Sequence, residues 1–149
     1  MNKEEPNIDE FFMRAAISEA RAALESEEVP IGAVIVAGGK IVARGHNLVE
    51  TLTDATAHAE MQALTAAMSA SGGKYLTDCT IYVTVEPCVM CAGALAWSQI
   101  GRLVYGAADP KRGYSNVSGV ILHPKTQVTS GILETECAAF MTDFFRKLR

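Results

Sequence analysis

Two short segments of the chain carry side chains that can bind a metal ion and move protons. His58 and Glu60 lie two residues apart, and Cys88 and Cys91 form a Cys-x-x-Cys pair directly after Pro87. Residues three apart on a helix share a face, so both sulfur atoms point to one side. One histidine nitrogen with two thiolates is a ligand set of catalytic zinc, in which water takes the fourth position. The pattern predicts one zinc ion bound by His58, Cys88 and Cys91.

The acid beside the predicted ligands suits proton transfer. Zinc lowers the pKa of bound water toward neutrality, so a catalytic water or hydroxide is expected at the open position. Glu60 follows His58 closely enough to reach this water without being a ligand. It could take the proton and pass it to a leaving amine. Glu86 is the alternative acid, although its place between a strand and Pro87 suits holding the cysteine helix in position.

Each of these residues also has an ordinary interpretation. A Cys-x-x-Cys pair alone can be a redox motif. A lone histidine can cap a helix or pack in the core, and a glutamate in a first helical turn gains a little from the helix dipole. The combination of both motifs on successive helices favours zinc. The other cysteines, Cys79 and Cys137, are expected to be buried structural thiols, and His46 and His123 to lie at the surface or beside the site.

Hydrophobic periodicity places these motifs on an α/β framework. Strands are expected at residues 31–37, 40–46, 80–85 and 102–106, with a glycine turn between the first two. Helices are expected over residues 8–26, from Thr56 to Ser71, from Pro87 onward and over 134–148, after a polar, turn-rich segment at 107–130. Because helices alternate with strands, we expect a sheet covered on both faces. The length of 149 residues fits one domain spanning residues 1–149.

Composition indicates the class of protein and the cellular compartment that are expected for this domain. Hydrophobic residues make up 49% of the chain and charged residues 20%, which is the ordinary range of soluble domains. The chain contains no apolar run of roughly 18 to 20 residues and begins without a signal-peptide pattern. We therefore expect a cytoplasmic protein with no membrane partner, in which the cysteines are thiols or metal ligands rather than disulfides.

Charge is unevenly distributed along the chain. The net charge of −4 argues against a protein that coats nucleic acid through bulk electrostatics. Residues 1–28 hold three basic and eight acidic residues, whereas residues 101–149 hold seven basic and four acidic residues. An anionic partner is therefore expected to contact mainly the C-terminal third. The phosphate-facing candidates there are Lys111, Arg112, Lys125, Arg146, Lys147 and Arg149.

The His-x-Glu and Pro-Cys-x-x-Cys motifs resemble the signature of the cytidine deaminase-like superfamily of zinc deaminases. Segments 28–34, 54–61, 86–94, 105–113 and 131–139 are similar to the bacterial tRNA-specific adenosine deaminases, so the resemblance covers roughly residues 8–149. It implies a three-layer α/β/α sandwich with a mixed five-stranded sheet. It also implies hydrolytic deamination of the wobble adenosine to inosine in a tRNA anticodon loop, by a homodimer with one Zn²⁺ per subunit and no organic cofactor.

The same resemblance implies roles for individual residues. His58, Cys88 and Cys91 would bind zinc, and Glu60 would shuttle protons. The implied substrate contacts are Asn47 to the flipped nucleotide, the Ala59 amide to the base, Asp109 and Lys111 to the RNA backbone, and Phe144, Phe145 and Arg146 near the anticodon loop.

Those contacts have competing interpretations. Asn47 could simply close the hairpin, Asp109 and Lys111 could be surface charges, and the two phenylalanines could belong to the core, since only one of them can face inward at helical spacing. The apolar residues after the cysteines fit either an interface between subunits or the core; they are Ala92, Ala94, Leu95, Ala96 and Trp97.

The chain departs from the family pattern in its substrate-facing loops. Ala55 replaces the usual proline, Ala108 stands where arginine is common, and residues 114–130 form a shorter segment without the usual basic and histidine-rich stretch. These changes leave the metal motif intact, so they bear on the substrate more than on the reaction. The alternatives are a deaminase of free guanine or cytosine, or a non-catalytic zinc-stapled module that binds RNA or an active subunit. The intact Glu60 argues against the second.

Overall fold

The computed structural model describes residues 5–148, with side chains from residue 8 onward. The strands are β1 (Gly32–Ala37), β2 (Lys40–His46), β3 (Cys79–Val85), β4 (Arg102–Ala107) and β5 (Gln127–Ser130). The helices are α1 (Glu5–Glu25), α2 (Val49–Leu52), α3 (Ala59–Ser71), α4 (Val89–Trp97) and α5 (Glu134–Lys147). Arg149, one of the predicted phosphate-facing residues, lies outside the described residues.

The strands form one mixed sheet in the order β2-β1-β3-β4-β5. Strand β1 pairs antiparallel with both β2 and β3, whereas β3 with β4 and β4 with β5 are parallel pairs. The carboxyl ends of β2, β3 and β4 therefore lie at one edge of the sheet. Since ligands of open α/β sheets bind beyond the carboxyl ends of strands, this edge is where a site is expected.

Alternate residues of β1 face two different layers of helices. Ala33 and Ile35 pack in a cluster with α3 and α4, and Val34 and Val36 pack in a second cluster with α1 and α5. This alternation follows from the period of two along a strand. The predicted three-layer α/β/α sandwich with a mixed five-stranded sheet is confirmed.

Two glycines allow helices to lie unusually close to the sheet. A Cβ atom at Gly45 in β2 would lie 2.5 Å from the carbonyl oxygen of Ala59, the first residue of α3. At Gly32 in β1, it would lie 2.1 Å from the carbonyl oxygen of Ala16 in α1. Any other residue at Gly45 would push the start of α3 away from the sheet. The position of His58, directly before α3, therefore depends on this contact.

A partly buried ion pair holds α1 against the opposite edge of the sheet. Asp9 accepts two hydrogen bonds from the Arg102 guanidinium, at 2.8 and 2.7 Å, and one from the Tyr82 hydroxyl at 2.8 Å. These bonds, led by that from Arg102, lower the pKa of Asp9. A two-pronged pair of this kind is among the stronger polar contacts in proteins. Because Arg102 begins β4, the network lies far from the carboxyl edge of the sheet.

The helix boundaries differ from the predictions for local reasons. Helix α3 begins at Ala59 rather than Thr56, because the backbone and hydroxyl of Thr56 donate to Asp54 in a turn. Helix α4 begins at Val89 rather than Pro87, since Cys88 still has an extended backbone. Phe11 of α1 is 67% exposed, so it lies outside the buried face of that helix. In the described part of the chain, no helix is long and apolar enough to cross a membrane.

Two short elements lie in segments for which no regular structure was predicted. Strand β5 lies inside the polar segment 107–130, and its residues are mostly exposed, so no buried alternation marked it. Helix α2 has one turn and no buried residue. Contacts with neighbouring parts of the fold stabilise both elements, and their own hydrophobic pattern does not. Strand β5 pairs with β4, and the amides of α2 donate to the Glu28 carboxylate.

Candidate metal centre and active site

The predicted metal ligands lie at the N-termini of two neighbouring helices. His58 directly precedes α3, and Cys88 directly precedes α4, each with an extended backbone that aims the next residues into the helix. Cys91 lies in the first turn of α4 and is fully buried. The free amides and dipoles of both helix ends favour negative charge at this point. They therefore favour the thiolate forms that bind metals.

The three ligand atoms are spaced as a tetrahedral ion requires. They lie within 4.8 Å of one another. The Nδ1 atom of His58 is 3.6 Å from the Cys88 sulfur and 3.5 Å from the Cys91 sulfur. Metal–sulfur bonds of about 2.3 Å and a metal–nitrogen bond of about 2.0 Å at a tetrahedral angle would give a nitrogen–sulfur separation of about 3.5 Å. Both nitrogen–sulfur separations therefore match those expected around such an ion.

The number of ligands indicates the kind of metal site. Among the described residues, the cluster contains three ligating side chains. Structural sites for such ions are closed by a fourth protein ligand, whereas catalytic sites keep one position for water or substrate. The arrangement therefore matches a catalytic metal site.

The two cysteines have different acidities because one sulfur hydrogen-bonds the other. The hydrogen bond from Cys91, with help from His58, lowers the pKa of Cys88 to about 4 despite partial burial. The same hydrogen bond and the burial of Cys91 raise the pKa of its thiol. Hydrogen bonding to Cys88 also raises the pKa of His58. Cys88 is therefore a thiolate at neutral pH and supplies negative charge for a cation.

Glu60 is a buried acid beside the ligand cluster. It lies in the first turn of α3 and its side chain is 4% exposed. Burial raises its pKa to about 7, with a smaller contribution from the negative charge of Cys88. An acid with a pKa near the working pH can both accept and release a proton, as general acid–base catalysis requires.

A cleft of about 1090 Å³ opens over the cluster and Glu60 at the carboxyl edge of the sheet. It brings together eight of the eleven predicted site residues: Asn47, His58, Glu60, Cys88, Asp109, Lys111, Phe145 and Arg146. Of the other three, Ala59 and Cys91 are buried behind its wall, at 1% and 0% exposure, and Phe144 is a half-buried residue of α5. As the first residue of α3, Ala59 has a backbone N–H without an intrahelical partner.

Asn47 closes the β1–β2 hairpin and also lines the cleft. Its backbone N–H donates to the Ile31 carbonyl at 3.2 Å, which closes the end of the β1–β2 hairpin. Its side chain is 7% exposed and lines the cleft, with Oδ1 3.4 Å from the Val49 nitrogen. The turn role therefore leaves the amide group at the cleft wall.

Glu28 is a cleft residue to which the sequence analysis assigned no role. It is fully buried, and its carboxylate accepts hydrogen bonds from the Glu50 amide at 3.0 Å and from the amide and hydroxyl of Thr51, each at 2.6 Å. Burial alone would raise the pKa of Glu28, but these hydrogen bonds outweigh it and lower the pKa. They anchor the segment that runs from Asn47 to His58. The available signal was a glutamate directly before the apolar run that starts β1.

Glu86 does not hold the cysteine helix as predicted. Its buried carboxylate accepts hydrogen bonds from the amides of Asp109 at 3.1 Å and Ser115 at 2.9 Å. These two amides lie at the start and at the end of the loop that follows β4. The side chain of Asp109 in turn accepts from the amides of Lys111 and Arg112, at 3.0 and 2.9 Å. Asp109 therefore shapes a turn, and the two basic side chains are exposed at the cleft.

Helix α5 supplies part of the cleft wall, in addition to the segments that carry the metal ligands. Phe145 is 45% exposed and lines the cleft, whereas Phe144 is half-buried, which agrees with only one of the two facing inward. Arg146 is paired with Asp143 at 2.6 Å. Three further residues of α5 line the cleft and were not predicted: Ala138, Met141 and Thr142.

The remaining candidates lie outside the cluster. Cys137 is buried as predicted, but Cys79 is only half-buried, so its predicted burial was wrong. The Nδ1 atom of His46 lies 3.0 Å from a Glu19 oxygen, and His123 is half-buried in the segment before β5. Among the described residues, none of these joins a second metal-binding group.

The chain is similar to known proteins along most of its length. Residues 7–149 match the family described as MafB19-like deaminase. The chain is 47% identical over 146 residues to the tRNA-specific adenosine deaminase of Bacillus subtilis. That alignment covers 95% of this chain and 91% of the relative.

Solved structures show the same fold. A structure from a study of A-to-I editing by tRNA:A34 deaminases at the wobble position of transfer RNA is 44% identical. It superposes with a TM-score of 0.81 and covers 87% of this chain and 98% of that one. A guanine deaminase from Nitrosomonas europaea is 25% identical with a TM-score of 0.78, over 91% of this chain and 83% of its own.

Removing one ligand tests the metal centre. We expect the unaltered protein to hold one metal ion per chain, and Cys88→Ala to retain less than about one tenth of an equivalent, because two ligands bind such ions far more weakly than three. Cys79→Ala is the matched control, since Cys79 lies outside the cluster. Elemental analysis after dialysis measures both. A full equivalent in Cys88→Ala would contradict the assignment.

Proposed function

Because this chain belongs to the MafB19-like deaminase family and to the tRNA-specific adenosine deaminases, we propose that it converts the wobble adenosine of a tRNA anticodon loop to inosine. The reaction consumes one water molecule and releases one ammonia: the bond from C6 to the amine breaks and a bond from C6 to oxygen forms. Residues 1–149 would serve as a single deaminase domain, a proposal supported by the one sheet that contains the five described strands.

One observation carries this proposal: a three-ligand metal cluster and a buried acid with a pKa of about 7 share the floor of one open cleft. Deamination needs an activated water, a proton carrier and room for the base. Each of these requirements corresponds to a feature of the cleft.

The metal is proposed to be zinc, held by His58, Cys88 and Cys91. Nitrogen and thiolate ligands in a tetrahedral arrangement suit this ion. When bound, zinc supplies the Lewis acidity that lets a water molecule ionise near neutral pH. The half-buried thiolate of Cys88 and the buried Cys91 would hold it from one helix, and His58 from the other.

Glu60 would carry the protons. Its carboxylate would take a proton from the attacking water and deliver it to the amine that leaves C6. Its burial suits both steps, because the raised pKa makes the protonated and ionised forms comparable in free energy at neutral pH. Among the buried acids of the cleft, Glu28 and Glu86 are already engaged by backbone amides, which leaves Glu60 for this role.

The substrate would be held on three sides of the cleft. The Asn47 side chain would hydrogen-bond the flipped nucleotide, and the backbone amide of Ala59 would contact the base. Asp109 and Lys111 would contact the RNA backbone from the loop after β4, and Phe145 and Arg146 would contact the anticodon loop from α5. These roles are supported by the shared cleft of Asn47, Asp109, Lys111, Phe145 and Arg146.

An RNA loop fits the rim of the cleft better than a free base does. Lys111, Arg112 and Arg146 place positive charge around the entrance, where phosphates on either side of the target would lie. The exposed ring of Phe145 offers a stacking surface for an unpaired base. A free base would use neither feature.

A homodimer is proposed because α4 presents an apolar face to solvent. Trp97 is 86% exposed, Val89 43% and Met90 36%. A Cβ atom at Gly93 would meet nothing within 4 Å, so the middle of the same face is also open. Residues 90, 93 and 97 lie on one side of a helix. Of the predicted interface-or-core residues, Ala92 and Leu95 belong to the core and Trp97 to this face.

The cytoplasm is proposed as the location. Cys88 and Cys91 must stay reduced to bind a metal, and the four cysteines of the chain are free thiols. Thiols of this kind persist in reducing compartments. Cell fractionation that finds the protein mainly in a membrane or exported fraction would contradict this location.

The substrate assignment is tested by ammonia release. Purified protein is incubated with an adenosine-containing anticodon hairpin and, separately, with free adenine, guanine and cytosine. We expect turnover of the hairpin at least about a hundredfold above that of any free base, because the rim contacts bind only a chain. A matched hairpin with guanosine at the wobble position controls for contaminating activity. Turnover of free guanine alone would support the free-base alternative instead.

Substitution of Glu60 tests the proton carrier. Glu60→Ala and Glu60→Gln should lower kcat by at least about a hundredfold, because neither side chain can transfer a proton. Metal content and unfolding midpoint should stay near those of the unaltered protein for Glu60→Gln. Glu50→Gln, an exposed acid of the same cleft, is the control. If Glu60→Gln kept most of the activity, the assignment would be wrong.

Light scattering during gel filtration tests the dimer. We expect a mass twice that of one chain, and a single-chain mass for Trp97→Glu, because a charge on the α4 face cannot be buried without a partner. Phe11→Glu changes an exposed aromatic residue on α1 and should leave the dimer intact. A single-chain mass for the unaltered protein at micromolar concentration would refute the dimer.

A further inference from the structure

Glu86 is a buried acid of the cleft that takes no part in the proposed chemistry. Glu86 is 4% exposed and directly precedes the metal-binding segment that begins at Pro87. We propose that Glu86 is a positioning residue for RNA binding, which holds the loop of residues 109–115 so that Lys111 and Arg112 face the phosphates beside the target nucleotide. This inference rests on the proposed RNA substrate and extends it to a residue that contacts no RNA.

The Glu86 carboxylate ties down both ends of the loop. One oxygen accepts from the Asp109 amide at 3.1 Å, and the other accepts from the Ser115 amide at 2.9 Å. An ionised carboxylate offers acceptors on both oxygens, whereas a glutamine offers one acceptor and one donor. Glutamine at this position would therefore set its NH₂ group against a backbone N–H. The geometry requires a carboxylate rather than any polar group of the same size.

The loop is wrapped closely around this carboxylate. A Cβ atom at Gly113 would lie 2.3 Å from the carboxyl carbon of Glu86 and within 2.5 Å of both oxygens. Gly113 also forms an antiparallel bridge with Cys88, and the amide of Tyr114 donates to the Pro87 carbonyl at 2.9 Å. The loop thus lies directly on the metal-binding segment. Any shift of the loop relative to Glu86 would move it relative to the metal centre.

The anchored loop aims two cations at the cleft. The Asp109 side chain accepts from the amides of Lys111 and Arg112, which forms a tight turn with both basic side chains outside it. Both are exposed and line the cleft. Each phosphate that they neutralise would release counterions, and this contribution makes binding depend on salt. Glu86 would therefore act on RNA affinity through the placement of these charges.

The two hydrogen bonds to Glu86 suit a loop that must keep its place beside a reaction centre. Hydrogen bonds from backbone amides to a carboxylate are stronger than those between neutral groups, and they are directional. Within the described residues, no lysine or arginine forms an ion pair with Glu86. Its side-chain contacts of this kind are therefore those with the loop.

The test compares Glu86→Gln with the unaltered protein on the anticodon hairpin. We measure kcat, KM, metal content and the dependence of hairpin Kd on salt concentration. We expect unchanged metal content, kcat within about threefold and KM raised by about tenfold or more, because the variant is impaired in binding rather than in the chemical step. The slope of log Kd against log salt should fall by about 0.7 for each phosphate that the variant no longer neutralises.

Three further variants separate positioning from simple destabilisation. Gly113→Ala should reproduce the higher KM and shallower salt slope, because its Cβ displaces the same carboxylate from the loop side. Asp9→Asn breaks another carboxylate network, at the far edge of the sheet, and should lower stability without changing the salt slope. In a Lys111→Gln, Arg112→Gln background, adding Glu86→Gln should change hairpin Kd by less than about twofold, since the charges it positions are gone.

The outcomes are distinct. An unchanged KM and salt slope in Glu86→Gln would overturn the inference while leaving the proposed function intact. A large fall in kcat at unchanged KM would also overturn it, since Glu86 would then act in the chemical step. If the unaltered protein itself failed to process the hairpin, the proposed RNA substrate would be wrong, and this inference would fail with it.

Discussion

The convergence of two helix N-termini is the constraint on which the rest of the structure depends. Helices α3 and α4 begin beside each other on one face of the sheet, and the residues at their starts are His58 and Cys88. The nitrogen and sulfur atoms that meet there are 3.6 Å apart, which is a tetrahedral spacing for zinc-like bond lengths of about 2.0 and 2.3 Å. The contact between Gly45 and Ala59 helps to keep this spacing.

Two buried carboxylates, those of Glu28 and Glu86, hold the loops that line the cleft. Glu28 accepts three hydrogen bonds from the segment between β2 and α3, and Glu86 accepts two from the loop after β4. Both loops follow carboxyl ends of strands and carry residues that face the cleft. A deaminase that acts on part of a large substrate needs such loops to stay in place, since misplacement of about 1 Å can cost orders of magnitude in rate.

The sequence predicts the metal centre better than the substrate side. The ligand set and Glu60 could be read from residue type and spacing, because few ligand combinations suit a tetrahedral ion and helical spacing brings Cys88 and Cys91 to one face. The layers of the fold followed from periodicity in the same way. The roles of Glu28 and Glu86 could not be predicted, because their partners are backbone amides more than 20 residues away. The position of strand β5 was not predicted, because its residues are mostly exposed and show no alternation of apolar and polar side chains.

We propose that three protein side chains bind the metal and leave its fourth position to solvent beside Glu60. The most direct test is a crystal structure of the metal-loaded protein, with anomalous scattering recorded at the zinc edge. The expected result is one ion bound by His58, Cys88, Cys91 and a water molecule within hydrogen-bond distance of Glu60. An ion whose fourth ligand is Glu60 or any other side chain, or an ion bound elsewhere, would contradict the account.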